Sequence, residues 1–389
     1  METLKFPPDF LWGSATSAYQ VEGGIENNDW AQAAREGKVP PAGWATDHYD
    51  LYEKDFDLAK SLGHNAHRFS VEWARIEPEE GKFSEEAIEH YRKVIQALRA
   101  RGLEPFVTLW HFTNPIWFAE KGGFENKKAP EVFARYCEHV VRRLGNLVKF
   151  WMTLNEPMVY VGESYWYRQW PPFKKNILKI IRVTNYLAVS HNVAYQKIKF
   201  FDPSLQVGIA HNVKSYESDE SLVYRLLSAI AIFFRNHWFL QKISHAQDFI
   251  GANYYFHRGF GEKVFHEKTD MGWEIYPKGL YNVLVQLKRY KKPIYITENG
   301  LADSKDEKRA KFIKDHLYWA HRAIQEGVDL RGYFYWSLLD NFEYNFKKTV
   351  QAFNLRFGLI EVDYNTMERH IRPSAYEYAK ICRSNSLML

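Results

Sequence analysis

Pro293-Ile294-Tyr295-Ile296-Thr297-Glu298-Asn299-Gly300 is the stretch on which the reading of this chain turns. Its branched and aromatic apolar residues predict a short buried strand. The strand ends on a carboxylate, and Asn-Gly is expected to turn the chain sharply. Taken alone, Glu-Asn-Gly is equally well a polar turn. A second stretch built the same way decides between the two: Val148-Lys149-Phe150-Trp151-Met152-Thr153-Leu154-Asn155-Glu156-Pro157. It is again an apolar strand ending in a carboxylate, followed by a proline that cannot extend a ladder. Buried parallel strands that deliver acids to their C-terminal ends are how a (β/α)8 barrel presents reactive groups.

Strand-like and helix-like segments alternate along the rest of the chain, with no low-complexity linker and no break in composition. Strands are predicted at Phe10–Thr16, Asn65–Ser70, Glu104–Leu109, up to Glu156, Gln206–Ala210, Phe249–Asn253, up to Glu298, and Leu330–Tyr335. Helices are predicted over about Asp50–Leu62, from a Ser84 cap to Arg101, and over Ala129–Leu144, Ile177–Phe200, Leu222–Ile243, Leu280–Tyr290 and Asp306–Glu326. Gln20 to Thr46 is read as a loop. An extra strand over Phe357–Val362 and a helix over Pro373–Cys382 close the chain. The expected fold is therefore α/β, a single (β/α)8 TIM barrel over residues 1–389 with its site at the C-terminal strand ends.

Composition bounds the function. Hydrophobic residues at 46% and charged residues at 25% are ordinary for a globular protein. Aromatics reach 17%, with 13 Trp, 25 Tyr and 27 Phe, and flat rings suit sugar faces even though most must be core. A net charge of +5 without a basic run gives no argument for nucleic acid. Cys137 and Cys382 read as reduced packing residues. The first residues show no signal peptide and no Asn-x-Ser/Thr acceptor occurs, which fits a cytoplasmic protein. The longest apolar run, Leu226 to Phe234 between Arg225 and Arg235, is too short for a transmembrane segment and is expected to be a buried helix face.

Arg68, His111, Asn155, Glu156, Asn253, Tyr255, Glu298 and Trp336 all fall at or just past predicted C-terminal strand ends. A closed barrel gathers those ends on one rim, so residues distant in sequence converge. Such a mixture of polar groups with tryptophan is the chemistry of hydroxyl recognition. Two acids at the mouths of separate strands meet the needs of glycosidic bond cleavage, in which one carboxyl donates a proton while the other stays ionised.

The ordered set of motifs resembles glycoside hydrolase family 1, the β-glucosidase and β-galactosidase family. The segments are Phe10 to Gly23, Arg68 to Ile76, Thr108-Leu109-Trp110-His111, Thr153-Leu154-Asn155-Glu156-Pro157, Asn253-Tyr254-Tyr255, Ile296 to Gly300, Trp336 to Glu343, and Arg372-Pro373-Ser374-Ala375-Tyr376. The likeness spans essentially the whole chain. It implies a retaining β-glycosidase acting on small-molecule or oligosaccharide β-glycosides, with glucosides or galactosides as the expected sugars and fucosides a further candidate, without a cofactor. Glu298 would be the nucleophile and Glu156 the acid/base, with Arg68 and Tyr255 supporting the nucleophile. Gln20, His111, Asn155, Asn253, Trp336, Glu343 and Tyr344 would bind the sugar. No metal is expected, because His257, His266 and His321 lack ligand spacing.

Three departures from the family pattern stand out. Tyr344 replaces a usual Trp, residues 345–355 look longer than usual, and residues 212–247 look shorter. A shortened 212–247 region would let the aromatic loop Trp166–Phe173 face an apolar aglycone. Glu343 argues for unphosphorylated sugars, because a carboxylate there would repel a 6-phosphate. Lys347 and Lys348 keep a 6-phospho-β-glycosidase as the second reading, and a non-catalytic sugar- or lipid-binding relative is the third.

Overall fold

The computed structural model describes residues 3–261, 265–344 and 352–389. Eight strands close into a barrel in chain order: β1 Leu11–Ala15, β2 Ala66–Ser70, β3 Glu104–Thr108, β4 Phe150–Asn155, β5 Gln206–Ser218, β6 Ile250–Phe260, β7 Ile294–Asn299 and β8 Leu330–Trp336. All neighbours are parallel, and β8 closes on β1 with Leu11 opposite Gly332 and Ala15 opposite Trp336. Every residue of β4 and of β7 is buried, as expected of parallel strands covered on both faces. The barrel interior is filled, not open: Phe106 stacks on Phe150 with centroids 4.2 Å apart, and Tyr295 and Phe334 pack edge-on or tilted against Phe106.

The helices obey local rules that the sequence states openly. Glu85–Ala100 starts where the Ser84 side chain accepts a hydrogen bond from the Ala87 N–H, with Glu85 and Glu86 in the first turn beside the positive end of the helix dipole. Ala129–Leu144 buries Phe133, Tyr136, Cys137, Val140, Val141 and Leu144, a helical stripe turned toward the barrel. Cys137 and Cys382 are free and buried. Among the described residues no helix is long and apolar enough to cross a membrane.

Four expectations need correction. The segment read as a loop from Gln20 to Thr46 contains helical turns at Ala18–Val21 and Asp29–Arg35, the latter capped by Asn28. β5 and β6 run well past Ala210 and Asn253. They form a ribbon in which Lys214 pairs with Phe256 and Ser218 with Phe260. Its mixture of polar and aromatic residues, mostly buried to half-buried, lacks the continuous apolar signal of a buried strand. The apolar run near Leu226 is helical but is not a buried face. In Leu222–Ile232 only Ser228 is buried, while Leu222 is 80% and Leu226 63% exposed. The helix is apolar around most of its circumference, and among the described residues nothing covers its outer side. Finally, the helix predicted to reach Ile243 passes through a wider π turn at Phe233–His237. The proposed insertion falls largely on residues 345–351, so Lys347 and Lys348 lie outside the described residues.

Candidate active site

Glu298 does not sit in a polar turn. It belongs to β7, and its neighbours are locked on both sides. The Thr297 hydroxyl donates to Asn253 Oδ1 at 2.6 Å. Asn299 donates to the Tyr254 carbonyl at 2.8 Å and accepts from the Tyr333 hydroxyl at 2.9 Å. Gly300 follows because a Cβ there would lie 1.8 Å from the Trp336 carbonyl oxygen. The glycine is thus required by close approach of β7 to β8 and not by a sharp turn. Gly300→Ala is expected to lower the unfolding free energy by about 3 kcal/mol or more, beyond ordinary overpacking, since backbone must move. Denaturant midpoints and kcat measured together check this, and a variant of wild-type stability would contradict the packing.

Glu156 caps the short helix Pro157–Gly162 from just past β4, with φ 45° and ψ 55°. That left-handed conformation costs a non-glycine residue about 1–3 kcal/mol. It is held by a hydrogen bond from the Glu156 N–H to the Ala210 carbonyl at 2.7 Å. The bend turns the side chain toward β5 and β6, where Asn212 and Asn253 each donate to Oε1 at 2.9 Å.

The two glutamates line one cavity of about 1110 Å³ at the C-terminal rim, together with Gln20, His111, Tyr255, Trp336, Glu343 and Tyr344. Arg68, buried at the end of the network, pairs with Glu298 and donates to Asn155 Oδ1 at 2.6 Å. Tyr255 donates to the other oxygen of Glu298 at 2.8 Å. These two donors offset the carboxylate's charge and fix its direction. Asn253 joins the two halves of the site, because it contacts Glu156 and the strand that carries Glu298.

Electrostatics separate the groups further. Burial, and then the charge of Glu298, push the Glu156 carboxyl up to about 7. Burial alone accounts for most of the rise at Glu343, whose carboxyl accepts from Trp336 Nε1 at 3.2 Å. Burial and the Arg68 charge hold His111 well below its usual range, so its ring is neutral. His111 Nε2 accepts from the Asn155 amide at 3.2 Å, which leaves the proton on Nδ1. That Nδ1 is buried without a partner, a donor waiting for a hydroxyl. Gln20 donates to Asn341 at 3.0 Å and to the Phe342 carbonyl at 2.6 Å. Tyr344 sits in a nest of Tyr19, Trp30, Phe112 and Trp170.

All eleven residues singled out from the sequence gather here, eight of them on the cavity wall. Arg68, Asn155 and Asn253 act from behind it through hydrogen bonds. Of the aromatic loop, Trp166 is exposed, whereas Tyr167, Trp170 and Phe173 line the cavity. Two contributors escaped the sequence reading. Asn212 bonds Glu156, and Arg235 holds Asn212 at 2.6 Å. Neither stands in a motif, and Arg235 reads in sequence only as the charged flank of an apolar run.

Residues without ligand spacing in the sequence come together in space. His257, His266 and Glu274 converge, with ligand atoms all within 4.8 Å of one another. His257 Nδ1 is 3.0 Å from Glu274. Phe256 and Arg258 line the cavity, so strand alternation puts His257 on the opposite face of β6.

The model of glycosyl hydrolase family 1 matches residues 2–249 and 245–387. A beta-glycosidase from Pyrococcus horikoshii superposes with TM-score 0.93 at 40% identity, covering 100% of this chain and 97% of that one. Beta-glucosidase A of Acetivibrio thermocellus is 33% identical over 453 aligned positions, covering 99% of this chain and 100% of that protein. Beta-galactosidase of Pyrococcus woesei is 30% identical over 490 positions, covering 94% of each. Both alignments exceed the 389 residues of this chain, so these relatives carry segments that it lacks.

Proposed function

Since this chain belongs to glycosyl hydrolase family 1, we propose that it hydrolyses β-linked glucosides and galactosides with retention, through a covalent glycosyl-enzyme. The observation that carries this reading is the pairing of Glu156 and Glu298 in one cavity, close enough for the charge of one to raise the pKa of the other. Glu298 Oε attacks the anomeric carbon while Glu156 transfers its proton to the departing oxygen, and the C–O bond to the aglycone breaks. Forming the ester removes the Glu298 charge, one of the two causes that hold the Glu156 proton. Glu156 then takes a proton from water, whose oxygen attacks the anomeric carbon, and the ester bond breaks.

Trp336 would carry the apolar face of the sugar. Gln20, His111 and Glu343 would bind its hydroxyls, and Asn155 the 2-hydroxyl, a contact that strengthens in the transition state. Tyr344 and Asn253 shape the same subsite. We place the enzyme in the cytoplasm, a reading supported by two unpaired, buried cysteines.

Retention is checked by proton NMR of the first-formed sugar, which should be the β-anomer. An α-anomer appearing first would overturn the mechanism. Comparing nitrophenyl glucoside with its 6-phosphate tests the second reading, and faster turnover of the phosphate would reverse the ranking.

The pH profile follows from Glu156. It must be protonated to act as acid, so kcat/KM for a substrate with a poor leaving group should fall tenfold per pH unit above about 7. An alkaline limb that survives unchanged in Glu156→Gln would remove Glu156 from this role. The raised value also means that Glu156 favours the fold below its ordinary 4.5, and that this contribution disappears as pH rises through about 7.

A further inference from the structure

The wall of the cavity beside Glu156 is basic. Lys214 and Arg258 come from the ribbon of β5 and β6, and Arg235 from the π turn at Phe233–His237. All three line the cavity. Among the described residues, none of the three forms an ion pair with a carboxylate. The Lys214 ammonium lies 4.8 Å from the centroid of the Phe256 ring, and Arg235 Nε is buried with no hydrogen-bond partner. The acid on this wall besides Glu156 is Glu163, which burial shifts toward its neutral form. Burial and the charges of Arg235 and Arg258 bring the Lys214 ammonium down to about 8, the mark of a cation among cations in a poorly solvated place. Such an arrangement costs folding energy that an ordinary sugar hydroxyl would not offset.

Position says which part of a substrate meets these groups. Gln20, His111, Trp336 and Glu343 approach from β1, β3 and β8 and its following loop. The basic groups approach from β5 and β6, on the side of Glu156. The leaving group departs past the acid that protonates it, so this wall faces the aglycone and not the 6-position of the sugar.

Resting on the glycosidase reading above, we propose that the aglycone site is built for an anionic leaving group, one carrying a carboxylate, sulfate or phosphate that Lys214, Arg235 and Arg258 bind together. Guanidinium forks and an ammonium converge on a compact anion better than on any neutral group. The aromatic residues Tyr216, Phe256 and Trp273 on the same wall would pack the body of the aglycone.

The experiment compares aryl β-glucosides in pairs matched for leaving-group acidity, one ring bearing the anion and its partner a neutral ester or amide. Carboxylate, sulfonate and phosphate pairs distinguish which anion fits best. The charged member of at least one pair should have a kcat/KM about tenfold higher or more, and raising the salt from about 0.05 to 0.5 M should narrow the ratio. Lys214→Met and Arg258→Gln should each bring the charged-to-neutral ratio toward one, whatever happens to the absolute rates, so impaired folding cannot mimic the effect. Turnover of neutral glucosides with no preference for any charged partner overturns the proposal and leaves the glycosidase reading standing. Failure to turn over any glycoside defeats that reading and this proposal with it.

Discussion

Glu298→Gln lowers kcat for β-glucoside hydrolysis by about 10⁴–10⁶-fold, the scale seen when a covalent nucleophile is removed. The side chain keeps its shape, but one of its two oxygens becomes an NH2, so either Arg68 or Tyr255 loses its acceptor; an unchanged unfolding midpoint would show that the loss reports chemistry and not repacking. An amide lacks the charge to attack the anomeric carbon. The matching positive result uses the wild type. An activated 2-fluoro glucoside, whose fluorine slows both steps but whose leaving group rescues the first, should leave a sugar ester on the enzyme. Peptide mapping should place that ester on the segment holding Glu298. An adduct on another carboxylate, or a Glu298→Gln variant whose kcat stays within about tenfold of wild type, would end the assignment.

Glu156→Gln has the second largest effect, and its pattern says more than its size. For an alkyl β-glucoside, whose leaving oxygen needs a proton, kcat/KM should fall by about 10³–10⁴. For a dinitrophenyl glucoside, which leaves unaided, kcat/KM should stay within roughly tenfold. The sugar ester then waits for a base that is gone, so kcat for the activated substrate still falls. Added azide, which attacks without general-base help, should restore turnover and yield β-glucosyl azide. Equal losses for both leaving groups, with no rescue, would take the acid/base role from Glu156. The two substitutions also differ electrostatically. Replacing Glu298 by an amide removes a charge that helps keep Glu156 protonated, so any residual activity of that variant should have its alkaline limb shifted to lower pH.

How much of this could be read from residues alone depended on how each part announces itself. β4 and β7 are buried on both faces, so they are written as unbroken apolar runs that end in the groups of interest. The helix over Ala129–Leu144 is written as a clean stripe. The ribbon beyond Ala210 and Asn253 has no such signal, because polar and aromatic residues are mixed along it and it is held by pairing between half-buried strands. Asn212 and Arg235 are single polar residues whose meaning appears only when β5 rises beside Glu156. His257 and Glu274 are 17 residues apart and fall in no ligand-spaced motif, yet they meet at 3.0 Å. The outer face of Leu222–Ile232 defeated a sound rule, that an apolar helix is buried, since burial depends on what else the fold provides.

The contact of Gly300 with the Trp336 carbonyl reaches beyond its cost in packing. Glu298, the carboxylate proposed to attack, lies two residues before that glycine, and the proposed floor for the sugar is the tryptophan itself. The enzyme therefore has no independent adjustment for where a sugar lies and where it is attacked. Anyone reshaping this protein for a bulkier ring by redesigning β8 would move Glu298 along with Trp336. Remodelling would go further from the outer part of the β5 and β6 ribbon, past Tyr255, whose hydroxyl still holds Glu298.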